Sequence, residues 1–204
     1  SSLESITIPD NVTYCNHAFW DCKSLKSIVI GKGIKSIMLY GCTSLQSITL
    51  GKGLERVSFC GCTSLQHFVI PQHITEFSFD GCSSLNSIII PNSVTNIKSH
   101  AFRNCVSITS ISIPNSVVEL EYGAFENCSA LTNINIPINV RKIHPAVFHG
   151  CSSLSSISLP AHLIEIGDCI FDFCESLQII RVPKGKKEEY CKLGLEPYRD
   201  LIHE

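Results

Sequence analysis

The chain has 204 residues, a formal net charge of -2 and only 17% charged residues, so no general attraction to nucleic acid or to anionic lipid is built into it. No apolar run approaches the ~18 residues that span a bilayer, and no charged-then-apolar leader opens the chain. Its length suffices for one domain with a sizeable core; a nucleic-acid partner and membrane insertion of this segment are not expected.

The chain opens on Ser1-Ser2-Leu3, which matches the residues after the cysteine in Cys82-Ser83-Ser84-Leu85 and Cys151-Ser152-Ser153-Leu154. It is therefore expected to start in mid-repeat, as a piece of a longer protein. The strand around Leu3, Ile6 and Ile8 would then be an open sheet edge, able to pair with another chain in self-association. From there one beat runs through the sequence. Cysteine stands at 22, 42, 62, 82, 105, 128, 151 and 174; a Leu or Ile follows three residues later, and a Pro or Gly closes the segment six beyond that. The period is 20 residues up to Cys82 and 23 after it. A fixed period of this length marks a solenoid, in which a unit too small to hide its own apolar face stacks on copies of itself.

Residues 85 to 105 display the whole unit. Leu85, Ile88 and Ile90 read as the inward residues of a short strand, with Asn86, Ser87 and Ile89 outward. Pro91 stops the strand because it lacks an N–H; Gly31-Lys32-Gly33 and Gly51-Lys52-Gly53 do so through backbone freedom. Val94 and Ile97 turn apolar side chains inward across the next side. An aromatic then precedes each cysteine by three residues, at Phe19, Phe59, Phe79, Phe102, Phe125, Phe148 and Phe171, with Leu39 the one exception. A stacked column of rings, each contributing ~2 kcal/mol by burial, is expected to fill the wide side of the core. The shorter turns lack three residues between the second apolar pair and the Phe position. A flatter stretch over 22 to 82 and stronger bending after it are expected.

Twelve cysteines raise the question of disulfides, but stacked equivalents point the same way into the core and do not supply the ~90° dihedral a disulfide needs. The eight ladder thiols are read as small buried hydrophobes. Cys15, Cys60, Cys169 and Cys191 lie outside the ladder; Cys60 is the candidate exposed, reactive thiol. From Pro183 the period fails. Residues 186–194 read as a short helix ended by Gly194, and Pro197 to Ile202 as a second turn, with Tyr190, Leu193, Leu201 and Ile202 covering the last repeat. The solenoid is thus assigned to 1–183 and a C-terminal cap to 184–204.

The unit Leu-x-x-Ile-x-Ile-Pro-x-x-Val-x-x-Ile-x-x-x-Ala-Phe-x-x-Cys, nearly whole at 85–105 and 108–128, resembles the BspA-like (treponemal-type) leucine-rich repeat over residues 3 to 183. The ending from Val182 to Tyr190 is similar to the cap of bacterial members. The resemblance implies an α/β leucine-rich-repeat solenoid with a parallel sheet on its concave side, short strands, turns and 3-10 segments on its convex side, and a small helical cap. It also implies a place at the cell surface or outside it, and adhesion to proteins of a host or neighbouring cell. Leu39 for Phe, Ile108 for Leu and Cys15 in the Ile97 position depart from the pattern and touch packing only.

Nothing nominates a catalytic set, a metal site or a cofactor. The eight histidines fall in different columns without Cys-x-x-Cys or His-x-x-x-His spacing. The Gly-Lys-Gly pairs open no long helix, so they read as turns rather than phosphate cradles. Lys184, Lys186 and Lys187 read as a solvated face of the cap. The informative surface is the outward side of the strands, about 38 Å long at ~4.8 Å per strand and rich in Ser, Thr and Asn. One row stands out: Val29, Thr49, Val69 and Ile89, flanked by Lys26, Gln46, His67 and Asn86. This strip is the candidate protein-binding site, with Ile179 and Arg181 a second choice. A non-enzymatic binding role is the leading expectation. A structural spacer for another domain and a carbohydrate-binding surface are the alternatives, the second weakened because the strand face lacks aromatic platforms.

Overall fold

The computed structural model describes residues 2–15 and 17–204; the reading of Ser1 lies outside the described residues. From Ser27 to Ile166 each turn of the chain carries two short strands; the turn before carries a single one, Ser5–Ile8, among the described residues. In order these are β1 (Ser5–Ile8), β2 (Ser27–Ile30), β3 (Ser36–Met38), β4 (Ser47–Thr49), β5 (Arg56–Ser58), β6 (His67–Val69), β7 (Glu76–Ser78) and β8 (Ser87–Ile89). They continue as β9 (Asn96–Ile97), β10 (Ser110–Ser112), β11 (Glu119–Leu120), β12 (Asn133–Asn135), β13 (Lys142–Ile143), β14 (Ser156–Ser158), β15 (Glu165–Ile166) and β16 (Ile179–Arg181). All pairs are parallel and in register, as with Ile28 opposite Ile48 and Ile111 opposite Ile134.

The first strand of each turn forms the expected face. Alternation sends Ile28, Ile88, Ile111 and Ile134 inward and Val29, Ile89, Ser112 and Asn135 outward. The second strands are the short strands expected on the opposite side, and they join into a ladder of their own. Sheets β3-β5-β7 and β9-β11-β13-β15 occupy the side expected to hold short strands, turns and 3-10 segments. Turns do flank them, but the 3-10 turn among the described residues lies in the cap, at Glu196–Leu201. The physical reason is satisfaction of buried backbone. Once Ile37, Val57 and Ile97 are held inward, each neighbouring turn presents matching N–H and C=O groups at strand spacing.

The change of period leaves its mark on this second ladder, which breaks between β7 and β9. Short turns make three-residue strands there and long turns make two-residue strands. The added residues bring a left-handed backbone to the position two before Phe, at His100 (φ 57°), Gly123 (φ 58°), Ala146 (φ 58°) and Cys169 (φ 55°). His100 is thus a turn residue.

The core is one continuous column. Phe79, Phe102, Phe125, Phe148 and Phe171 are buried, and successive rings stack at 5.4–5.9 Å with interplanar angles of 4–11°. The eight ladder cysteines are buried and free. They do more than fill space: from Cys42 to Cys174 each thiol donates to the carbonyl of the Phe-position residue in the preceding turn. Examples are Cys42 to Phe19 at 3.1 Å, Cys82 to Phe59 at 3.0 Å and Cys105 to Phe79 at 3.1 Å. Burial pushes the thiol pKa values up, to about 11 at Cys42 and about 12 at Cys128 and Cys174, because removal from water disfavours the thiolate.

At the C-terminal end, helix α1 (Lys187–Tyr190) leads into a wide helical turn that bends at Gly194, where φ is 140°. Tyr190, Leu195 and Ile202 are buried against the last turn. The Tyr190 hydroxyl donates to the Pro160 carbonyl, and the Tyr198 hydroxyl to the Asp172 carboxylate at 2.7 Å. A short strand, β17 (Ile202–His203), then pairs in parallel with β16 and covers its free edge. At the other end, β1 pairs with β2 and with no other strand among the described residues.

Candidate binding face

The outward positions of the first face are unusually free of charge. Across β1 to β16, Arg181 is the one Lys, Arg, Asp or Glu on this face, and His67 its other ionisable group. The second ladder is the reverse. Arg56 lies 3.8 Å from Glu76, Lys142 lies 3.3 Å from Glu165, and Glu119 binds both Asn96 at 2.7 Å and His144 at 2.6 Å. A face without fixed charges loses little on desolvation, which suits it to burial under a partner.

All seven candidate residues, Lys26, Val29, Thr49, His67, Val69, Asn86 and Ile89, are exposed. Val69 is 63% and Ile89 59% exposed, large values for aliphatic side chains. Lys26 is tied to Glu4 by a 2.9 Å ion pair. Val29 stands opposite Thr49, and Val69 opposite Ile89. The expected unbroken strip of four does not form, however, because β4 and β6 are not paired.

The backbone shows where the ladder opens. Gln46 N–H bonds the Lys26 carbonyl at 2.9 Å, and Asn86 N–H bonds the Gln66 carbonyl at 3.0 Å. No corresponding bond joins Gln66 to Gln46, nor Thr109 to Asn86, among the described residues. The pair β6-β8 is thus split from its neighbours on both sides. A cleft of about 350 Å³ between β4 and β6 is lined by Ile48, Leu50, Leu65, Phe68, Val69 and Pro71 with polar neighbours. A second cleft, of about 470 Å³, lies beside Ile89 and Ser112.

Phe68 explains the first opening. It occupies the position held by Ile28, Ile48 and Ile88, and its larger ring packs 5.2 Å from Phe59 and 5.5 Å from Phe79. Phe77, in the position of Ile37 and Val57, lies on the side of the following turn, 5.8 Å from Phe79 and 5.5 Å from Phe102. The Phe68 ring exceeds the volume an Ile-sized layer provides. Phe68, Ile48 and Leu50 consequently remain only half-buried.

Other expectations resolve as follows. Cys60 is half-buried, with its sulfur 3.2 Å from the Ser58 hydroxyl and 3.3 Å from that of Ser78; the exposed thiol is Cys169. A hydrogen bond to Asp172 raises the Cys169 pKa, which opposes thiolate formation. No group of three or more His, Cys, Asp or Glu is placed to hold a metal among the described residues. No helix among them is long and apolar enough to cross a membrane. Ile179 is half-buried and Arg181 exposed beside the cap.

Comparison with known proteins places this geometry. The sequence pattern described as BspA type Leucine rich repeat region matches residues 1–78 and 72–190, in six copies. No curated protein matches the chain. Among solved structures, a leucine-rich repeat protein of T. pallidum is 25% identical, with a TM-score of 0.60 over 95% of this chain and 85% of that one. One from Bacteroides ovatus is 24% identical, with a TM-score of 0.69 over 98% of this chain and 64% of the other. One from Eubacterium ventriosum is 20% identical, with a TM-score of 0.66 over 84% and 59%.

Proposed function

Because the chain belongs to the BspA-type leucine-rich repeat family, we propose that it is a non-enzymatic protein-binding segment of a cell-surface protein, acting in adhesion through the first strand face, taken as the concave one. The observation that carries this reading is the distribution of side chains. Val29, Val69 and Ile89 are exposed on the face whose strands carry a single formal charge, at Arg181, while the ion pairs of the second ladder lie on the other side of each turn. The opening between β4 and β6 adds to the reading, since half-buried Ile48, Leu50 and Phe68 lie within reach of an apolar side chain brought by a partner. Interfaces gain most from such desolvated central pockets.

The test compares the chain with a Val69→Asp/Ile89→Asp variant on immobilised extracellular matrix proteins and on whole cells, with binding read by surface plasmon resonance and by attachment. Both side chains are exposed, so the fold should tolerate the changes. Loss of roughly 20-fold or more in affinity is expected for a pair of central contacts. Equal binding by the variant would favour a spacer role instead.

A further inference from the structure

A second surface lies off the strand face, on the corner between the Phe position and the cysteine. The residue just after the Phe position is Cys60, Asp80, Arg103, Glu126, His149 and Asp172 in six of the turns, but Trp20 and Tyr40 in the first two. The fold therefore makes no demand for an aromatic there. Both side chains are nevertheless large, exposed (50% and 55%) and adjacent, with ring centroids 6.0 Å apart and planes inclined at 53°. They are also held in place. His17 meets the Trp20 ring edge-on at 4.2 Å, and the Asp21 amide bonds the Tyr40 carbonyl at 2.9 Å, fixing one corner against the next. Exposed Asp21 and Lys23 follow Trp20 within three residues of chain, and Tyr40 brings its own hydroxyl.

We propose that Trp20 and Tyr40 form a stacking platform for a neutral oligosaccharide. An aromatic face is electron-rich and attracts the weakly positive C–H bonds that a pyranose presents on one side. The sugar's edge is a ring of hydroxyls, each able to donate and accept. A carboxylate, an ammonium and a phenol at the rim of the platform supply both kinds of partner. Two rings inclined on successive turns, which repeat at ~4.8 Å, offer faces to neighbouring sugar units of a chain. An apolar protein surface is matched less well, because the aromatic area ends after two rings and is bounded by opposite charges. The platform is separate from the strand face and stands whether or not that face binds protein.

Trp20 is the sole tryptophan of the chain, so tryptophan emission reports on the site alone. The probes are soluble cello-, chito-, manno- and xylo-oligosaccharides. At least one should give a saturable change in emission, weakened roughly three- to tenfold by Tyr40→Ala, the effect expected for loss of one stacked ring. Val69→Asp should leave it unchanged. In calorimetry with the same sugar, Trp20→Ala should abolish measurable heat. The proposal is overturned if no sugar of the panel changes the emission, or if Trp20→Ala or Tyr40→Ala binds as the unaltered chain does.

Discussion

Replacing Cys105 with alanine and with serine separates two roles of the ladder thiols. Cys105 is fully buried, and its thiol donates to the Phe79 carbonyl at 3.1 Å. That carbonyl also accepts the Cys82 amide at 2.9 Å, so loss of the thiol leaves it half-satisfied rather than orphaned. Alanine removes one heavy atom from a packed layer, about 1 kcal/mol of transfer and about 0.5 kcal/mol for the void. The lost hydrogen bond adds about 0.5 kcal/mol, at the low end for a weak donor. Cys105→Ala should therefore destabilise by about 2 kcal/mol, seen as a lower urea midpoint at unchanged m-value. Serine is the discriminating partner. A thiol serving only as a small hydrophobe would make Cys105→Ser clearly worse than alanine, because a hydroxyl would be buried without reward. A thiol serving as a donor makes serine equal to or better than alanine, since the hydroxyl inherits the Phe79 carbonyl. Serine destabilising by over 1 kcal/mol more than alanine would refute the bonded ladder.

Two further expectations concern the opening and the pH response. Phe68→Ile restores the residue found on the neighbouring strands and should let β4 and β6 pair; the Gln66 and His67 amides should gain hydrogen-exchange protection, with total stability changed by no more than about 1 kcal/mol. Unaltered exchange would mean that something other than ring size holds the ladder open. The buried thiols also set an alkaline limit. Their folded pKa values lie above the usual 9.0, at about 11 for Cys42 and about 12 for Cys128 and Cys174. The stability they contribute is fully present below pH 9 and is lost as pH rises through those values, since the unfolded chain ionises first. A urea midpoint that stays constant from neutral pH to pH 12 would contradict this.

The architecture was readable because its signal is repeated. Each Cys, Leu and Phe column is stated several times over, and alternation alone put Val29, Val69 and Ile89 outside and Ile28 and Ile88 inside. Of the second ladder, the short strands were expected but their bounds and pairing were not readable. Pairs such as Asn96-Ile97 and Glu119-Leu120 are too short to show a period of two, and they become strands only because a stacked neighbour offers hydrogen bonds. The thiol bond was hidden for a similar reason, since it depends on where the Phe carbonyl of another turn points. At the candidate site, Phe68 occupied a position that accepts any apolar residue by pattern. Its ring is too large for the layer, a matter of volume that hydrophobicity does not encode. The strip was thus correctly turned outward and wrongly expected to be unbroken.

The step from 20 to 23 residues after Cys82 gives this otherwise monotonous coil an address. Within 105–174, a turn that docked one place early would still find a thiol beneath a thiol and a ring beneath a ring, and little in the interior would reject it. At the step that uniformity ends: a three-residue strand meets a two-residue one and the second ladder breaks. A folding chain can therefore count its layers from that boundary in either direction.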